Sequence, residues 1–227
     1  MNNKLDSAAG PALAPVPGPD RSRREQRRAQ HQELSRTQLL DAAEEIFGRK
    51  GFHETTLKEV AELAEFAVGS VYSFFENKDD LFRQIFIRRG EEFVVGSAAV
   101  LEGDGPALPQ LHALVDFEIG FFRAHPHFGR LYLRSSSAIM LSEDRRVDGA
   151  IAERYESTMA QQADLFRRGQ RSGEFCAGDP DVLARLFSGL ISAYQALDPA
   201  VMSDDTEVAE RLALTEFHLL VERAFTS

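Results

Sequence analysis

The sequence predicts an all-α protein of about nine helices, with a three-helix N-terminal domain that contains a helix-turn-helix and a larger helical body. Apolar residues recur at a spacing of about 3.6 along most of the 227-residue chain, which is typical of helices that bury one face. Glycine and proline stand at the ends of these segments, as at Gly51, Pro126 and Gly173. No stretch shows a convincing strand pattern, so the core is expected to lie between helices.

The first 33 residues are predicted to form a disordered basic arm. Residues 1–20 are rich in proline, alanine and glycine, and they contain too little apolar surface to offset the entropy of ordering. Five arginines follow within a few positions: Arg21, Arg23, Arg24, Arg27 and Arg28. This segment is interpreted either as a solvated tail or as an arm that lies along DNA phosphates or in the minor groove.

Residues 34–77 are predicted to form the N-terminal domain. Its first helix begins at Ser35, and it ends before Gly51. A short second helix opens at Thr56, where Glu59 is spaced for a capping box.

A third helix, from Ala67 to about Phe74, completes the domain. Two short helices joined by a tight turn are the geometry that places one helix in a DNA major groove, although a corner in any helical core has the same shape. Gly69 and Ser70 permit a close approach to DNA, and Tyr72 offers a ring and a hydroxyl.

A set of small, apolar, aromatic and polar residues stands at particular spacings over some fifty positions. They are Ala42, Ala43, Phe47, Gly51, Phe52, Thr55, Thr56, Val60, Ala61, Gly69, Tyr72, Phe75, and Lys78 leading to Leu81. The run from Ser35 to Phe86 therefore resembles the DNA-binding domain of the tetracycline-repressor (TetR/AcrR) family of transcriptional regulators. The rest of the chain resembles that family only in its length and helical layout.

The resemblance implies which residues contact double-stranded DNA. They are Arg36, Thr37, Thr56, Ala67, Val68, Gly69, Ser70, Tyr72, Ser73 and Lys78. Arg36, Thr37, Thr56 and Lys78 are expected near helix starts, where backbone N–H groups favour a phosphate. The turn departs from the family pattern, because Glu65, Phe66 and Ala67 stand where glycine, an aliphatic residue and serine are usual.

Residues 78–227 are predicted to form a helical domain for ligand binding and dimerisation. The resemblance implies a cavity for a small organic molecule, flat or apolar and perhaps anionic. Its proposed lining is Phe117, Phe121, Arg123, Phe128, Arg130, Tyr132, Tyr155 and Phe166. Core packing is the alternative role for these aromatic residues.

The last two long helices carry apolar residues on more than one face, which favours a two-fold dimer built as a four-helix bundle. The expected interface residues are Leu183, Leu186, Gly189, Leu190, Ala193, Leu212 and Leu219. A homodimer would bind a pseudo-palindromic operator.

Charge and composition narrow the function. The net charge of −10 resides in residues 91–227, which hold 12 basic and 22 acidic residues, whereas residues 21–90 hold 13 and 12. Cys176 is the only cysteine, and neither a metal site, a cofactor motif nor a catalytic constellation is recognisable. No apolar run is long enough to span a membrane, so a cytoplasmic protein is expected.

We interpret the chain as a ligand-responsive transcriptional repressor and not as an enzyme. Two alternatives stay open. One is a helical ligand-binding or scaffolding protein on the same fold that does not read DNA, and the other is a TetR-like activator.

Overall fold

Helices are the regular elements of this protein. The structure, a computed structural model, describes the backbone of residues 19–141, 149–203 and 211–226, and the side chains of residues 23–135, 149–203 and 211–226. The helices in these ranges are α1 (Pro19–Lys50), α2 (Leu57–Leu63), α3 (Val68–Phe74), α4 (Lys78–Val100), α5 (Ala107–Ala124), α6 (Pro126–Leu141), α7 (Gly149–Ser172), α8 (Pro180–Gln195), α9 (Pro199–Met202) and α10 (Leu214–Phe225). The all-α prediction is confirmed, and the described residues contain no strand beyond one isolated bridge between Phe175 and Thr226.

Helix α1 begins earlier than the sequence analysis predicted. It runs from Pro19, so residues 19–33 are helical and Ser35 is not a helix start. The reason is the composition of this stretch, because arginine, glutamate, glutamine and alanine are strong helix formers and proline suits the first helical position. The rest of the arm predicted to be disordered, residues 1–18, lies outside the described residues.

Two compact units can be distinguished by their internal contacts, residues 1–37 and residues 38–227. In the first unit, α1 presents exposed arginines at Arg23, Arg24, Arg27 and Arg28. All the packing described below belongs to the second unit. The division of that unit into a DNA-binding domain and a body at residue 77 stays a prediction.

One hydrophobic cluster joins the later part of α1 to α2, α3, α4 and α6. The rings of Phe47 and Phe82 meet at 5.9 Å, and Phe86 of α4 meets Phe128 of α6 at 5.3 Å. A second cluster fills the space between α5, α7, α8 and α10, where Phe166 lies 5.0 Å from Phe225. The first cluster therefore extends from the short helices into the body.

Polar contacts strengthen the junction between α1 and α4. The buried carboxylate of Glu44 accepts hydrogen bonds from Arg88 at 2.8 Å and Arg89 at 2.9 Å. Arg88 also pairs with Asp41 at 2.8 Å. Charged hydrogen bonds of this kind hold two helices in a fixed orientation.

Helix α6 approaches α1 very closely at Gly48. A Cβ at this position would lie 2.5 Å from the backbone oxygen of His127, so only glycine fits. Arg134 of α6 donates a hydrogen bond to the Gly48 carbonyl at 3.0 Å. The body thus contacts the N-terminal helices through α6 as well as through α4.

Candidate DNA-binding surface, ligand cavity and dimer face

Helix α2 begins with the predicted capping box. The backbone N–H of Glu59 donates to the Thr56 hydroxyl at 3.3 Å, and the Glu59 carboxylate accepts from the Thr56 backbone N–H at 2.9 Å. The Thr56 hydroxyl also donates to that carboxylate at 3.0 Å. Hydrogen bonds from Lys50 and Thr56 lower the pKa of Glu59 to about 2. The Thr56 groups predicted to hold a phosphate are therefore already engaged within the cap.

The turn between α2 and α3 is a Schellman motif. Phe66 N–H donates to Ala61 at 2.8 Å and Glu65 N–H donates to Glu62 at 3.2 Å. Glu65 has a φ of 60°, in the left-handed region that usually requires glycine. Phe66 packs against the first hydrophobic cluster and fixes the position of α3.

Helix α3 buries Val71 in the core and leaves another face open to solvent. Tyr72 is 59% exposed, and a Cβ at Gly69 would have no neighbour within 4 Å. Ala67, Val68 and Ser73 are also exposed, whereas Ser70 is half-buried. The Ser73 hydroxyl donates to the Ser70 carbonyl at 2.6 Å. The exposed residues of α3 and its N-cap are thus mostly small or apolar, and Tyr72 and Ser73 add the hydroxyl groups.

Lys78 holds the segment before α2 in place. Its ammonium donates to the backbone carbonyls of Phe52 at 2.9 Å, Thr55 at 3.0 Å and His53 at 3.5 Å, and it lies 4.4 Å from the centre of the Phe52 ring. An ammonium has three N–H donors, and these carbonyls occupy them. The phosphate contact predicted for Lys78 would require one of these bonds to break.

Arg36 and Thr37 lie inside α1 rather than at its start. Backbone N–H groups in a helix interior are bonded to the carbonyl four residues earlier, so none is available there for a phosphate. The expectation of a helix-start anion site at these two residues was wrong for that reason. Any DNA contact they make would come from the side chains alone.

A cavity lies between α4, α5, α6, α7 and α8. Its empty space is about 660 Å³, which includes space open to solvent. The lining is Phe86, Gly90, Phe93, Glu118, Phe122, Phe128, Tyr132, Ile151, Arg154, Tyr155, Thr158, Met159, Gln162, Ser188, Ile191, Ser192 and Gln195. A mostly apolar wall with a few polar groups is typical of small-molecule sites.

Three of the eight residues predicted to line the cavity do so: Phe128, Tyr132 and Tyr155. Phe166 lies instead in the second hydrophobic cluster, fully buried against other rings. Phe117 and Phe121 pack on Phe93 from outside the cavity wall, at 5.4 Å and 5.1 Å.

The two arginines predicted for the cavity have other positions. Arg123 pairs with Asp198 at 2.7 Å and donates to the Tyr194 hydroxyl at 3.1 Å, so it ties α5 to α8 and α9. Arg130 is buried but does not line the cavity. The lining contains a different arginine, Arg154.

The sequence analysis missed the buried polar residues of the cavity. Glu118 is 3% exposed and accepts a hydrogen bond from Gln162 at 2.8 Å. Burial raises the pKa of the Glu118 carboxyl to about 8, although the Gln162 bond acts in the opposite direction. The sequence did carry a signal, because Glu118 shares the apolar stripe of α5 with Leu111, Val115 and Phe122.

The exposed faces of α8 and α10 contain much of the predicted dimer interface. Leu186 and Leu219 are each more than half exposed, and Gly189 and Ala193 open to solvent beside Leu186. Leu183 is buried at 8% in the second cluster, so little of its side chain is available to a partner helix. Leu190 and Leu212 are partly buried against the same cluster.

The pattern described as "Bacterial regulatory proteins, tetR family" matches residues 39–85. An uncharacterised HTH-type transcriptional regulator of Bacillus subtilis, YhgD, is 24% identical over 71% of this chain and 84% of its own length. A protein described as a transcriptional regulator from Saccharomonospora viridis, solved in complex with choline, has a TM-score of 0.67 at 17% identity and covers 86% of this chain and 99% of its own. FadR of Bacillus subtilis, in complex with stearoyl-CoA, has a TM-score of 0.64 at 18% identity and covers 82% and 95%.

Proposed function

We propose that this chain is a transcriptional repressor of the tetR family, whose pattern residues 39–85 match, and that it binds operator DNA as a homodimer and is released by a small organic ligand. Proteins of this family are regulators rather than enzymes. We assign its action to the cytoplasm, because bacterial operators are there. The observation that carries the proposal is the open face of α3, rigidly positioned on the first hydrophobic cluster.

Base reading is assigned to α3. An α-helix fits the major groove, and an exposed Tyr72 beside a bare Gly69 allows the helix to approach base edges closely. Val68 and Ala67 offer apolar contact, which suits the methyl group of thymine. We therefore expect an operator whose half-sites contain thymine at positions facing the start of α3.

Phosphate contacts are assigned to arginines of α1. The lysines of the helix-turn-helix are engaged within the protein: Lys50 pairs with Glu59, Lys58 lies 3.5 Å from Glu62, and Lys78 is bonded to carbonyls. Arg23, Arg24, Arg27 and Arg28 are exposed. Affinity that depends on them should fall steeply with salt, because phosphate binding releases counterions.

Ligand release is assigned to α4 and α6. Both line the cavity, and both contact the DNA-binding helices, α4 through the Glu44 network and α6 at Gly48. A ligand that favours one arrangement of these helices changes the separation of the two α3 helices in a dimer. A coupling of ~1–3 kcal/mol corresponds to about 5–150-fold weaker operator binding.

Operator binding is tested by anisotropy titration with DNA upstream of the chain's own gene, followed by footprinting. Tyr72→Ala should abolish sequence preference, whereas Val95→Ala, an exposed apolar residue on α4, should bind like wild type. Wild-type protein that binds this DNA no better than random DNA would favour the non-reading alternative, which the engaged lysines keep open.

The role of the α1 arginines is tested by replacing Arg23, Arg24, Arg27 and Arg28 with glutamine. Glutamine preserves helix propensity, whereas deletion of residues 1–30 would cut α1. The variant should bind all DNA more weakly and with a smaller salt slope. Equal affinity and slope would identify the basic segment as a solvated tail.

A further inference from the structure

The cavity contains a buried acid, Glu118, that no basic side chain of the described residues neutralises. Glu118 lies on its wall, and among the described residues no ion pair joins this carboxyl to lysine, arginine or histidine. Its one hydrogen-bond partner on the wall is the Gln162 amide. Burying a carboxyl is costly, and an apolar pocket for a neutral ligand gains nothing from it.

The other polar groups of the wall leave hydrogen-bonding capacity facing inward. Gln195 is 1% exposed, and among the described residues neither atom of its amide has a partner. A buried amide in this state has donor and acceptor capacity available to a molecule in the cavity, water included. Gln195 lines the same cavity as Glu118, so the two features belong to one site.

Aromatic rings line the same cavity as Glu118, Gln162 and Gln195. Phe93, Phe122, Tyr132 and Tyr155 line the cavity from four different helices, α4 to α7. Ring faces attract a positive charge, most strongly when both partners are removed from water. A carboxyl combined with several rings is thus suited to a cation with an apolar body.

The lining also contains Arg154, whose positive charge is compatible with a cationic ligand. Arg154 donates to the Ala150 carbonyl at 2.9 Å, and its guanidinium lies 3.6 Å from Glu91, a carboxylate that is 68% exposed. Among the described residues, the carboxylate that pairs with this guanidinium therefore does not line the cavity. Arg123 and Arg130, the two arginines that would favour an anionic ligand, do not line it.

We propose that the ligand of this cavity is an organic cation with an aromatic or apolar body, whose positive nitrogen lies against Glu118 and the surrounding rings. The inference rests on the proposed function and names the chemical class of its ligand. At neutral pH the empty site holds Glu118 protonated, so binding a permanent cation releases one proton. Affinity for such a cation therefore rises with pH until the carboxyl of the free protein is ionised.

The other titratable groups facing Glu118 leave this dependence unchanged. Helix α6 contributes Tyr132, and α7 contributes Tyr155 and Arg154. Burial raises the pKa of both tyrosine hydroxyls above its ordinary value. The residues that α4 and α8 contribute to the lining are uncharged. Among the described lining residues, Glu118 is therefore the group that titrates between about pH 5 and pH 9.

The test compares phenyltrimethylammonium with tert-butylbenzene, which has the same shape and no charge, by calorimetry on the full chain. Wild type should bind the cation more tightly, with an affinity that rises about tenfold or more from about pH 6.5 to about pH 9, while affinity for the neutral compound stays flat. Glu118→Gln, which keeps the size of the side chain, should lose both the preference and the pH dependence. Glu153→Gln, an exposed position on α7, is the matched control and should behave like wild type.

The inference would be overturned if wild type bound the two compounds with equal affinity or bound neither. It would also be overturned if Glu118→Gln kept the wild-type preference for the cation and its pH dependence. Titration of the operator complex with the same compounds separates it from the proposed function. If the cation binds through Glu118 and leaves operator affinity unchanged, the ligand class stands and ligand-responsive repression fails. If the neutral compound binds as well as the cation and releases the operator, repression stands and the charge assignment fails.

Discussion

At the residue scale, Glu118 makes the stability of the body depend on pH. Its pKa is about 8 in the folded protein against an ordinary value of 4.5, because burial disfavours the carboxylate. Between these values the native state keeps a proton that the unfolded state has lost. The free energy of unfolding therefore falls as pH rises from about 4.5 to about 8, by an amount on the order of a few kcal/mol.

Glu118→Gln should remove this dependence, because glutamine does not titrate. Urea unfolding at about pH 5 and about pH 8 measures it, and the variant should gain stability relative to wild type at the higher pH. Glu153→Gln should follow wild type, since this carboxyl is exposed. A parallel pH profile for wild type and Glu118→Gln would show that the carboxyl is solvated in the folded state.

Glu65 carries backbone strain at the turn between α2 and α3. A non-glycine residue at φ 60° costs on the order of 1 kcal/mol, so Glu65→Gly should raise the free energy of unfolding by about that amount. Glu62→Gly, at a helical position of α2, should lower it by about as much. Denaturant unfolding compares the two. A loss of stability in both variants would mean that the Glu65 side chain stabilises the turn by more than its strain costs.

At the element scale, Lys78 links the start of α4 to the segment before α2. Removing its ammonium takes a charged donor away from the carbonyls of Phe52 and Thr55, so Lys78→Ala should lower the melting temperature and weaken operator binding through misplacement of α2. The salt slope of operator binding should stay that of wild type, measured by titration at several salt concentrations. A normal melting temperature with a slope reduced by about one would instead establish a phosphate contact.

The helices show what sequence patterns predict well and where they fail. The cap at Thr56 was predictable, because capping is local and needs only the right residue at the right spacing. The start of α1 was missed, because arginine-rich sequence supports a helix as readily as a solvated chain.

The cavity was harder to predict than the helices that form it. Which ring of α5 faces inward depends on how α4, α6 and α7 pack around it, and a sequence of one helix does not contain that information. Phe121 and Phe122 are adjacent, yet only Phe122 lines the cavity. Glu118 carries a sequence signal that the aromatic residues and arginines of the body lack, because an acid on an apolar stripe is the rarer feature.

At the scale of the whole molecule, the outer faces of α8 and α10 decide whether operator binding is cooperative between two copies. Val182, Leu186, Leu219 and Leu220 are each about half exposed, which is a large apolar surface for one pair of helices. We expect two copies to cover it around a two-fold axis, as a four-helix bundle. The operator should then have two half-sites about 34 Å apart or slightly more, in pseudo-palindromic order.

Gly189→Glu should produce monomers that do not bind the operator. Gly189 lies on the exposed face of α8, where a Cβ meets no atom of its own chain, so the folded monomer accommodates a glutamate. In a dimer the same carboxylate would be buried against the partner helix without a counter-charge, which costs far more than the contact contributes. Gly120→Glu is the matched control, because Gly120 is a helical glycine on α5 with equally open surroundings, and it should stay dimeric. Sedimentation at micromolar concentration, combined with operator titration, distinguishes the variants. Monomeric wild-type protein, or a Gly189→Glu variant that remains dimeric, would place the interface elsewhere and remove the basis for the half-site spacing.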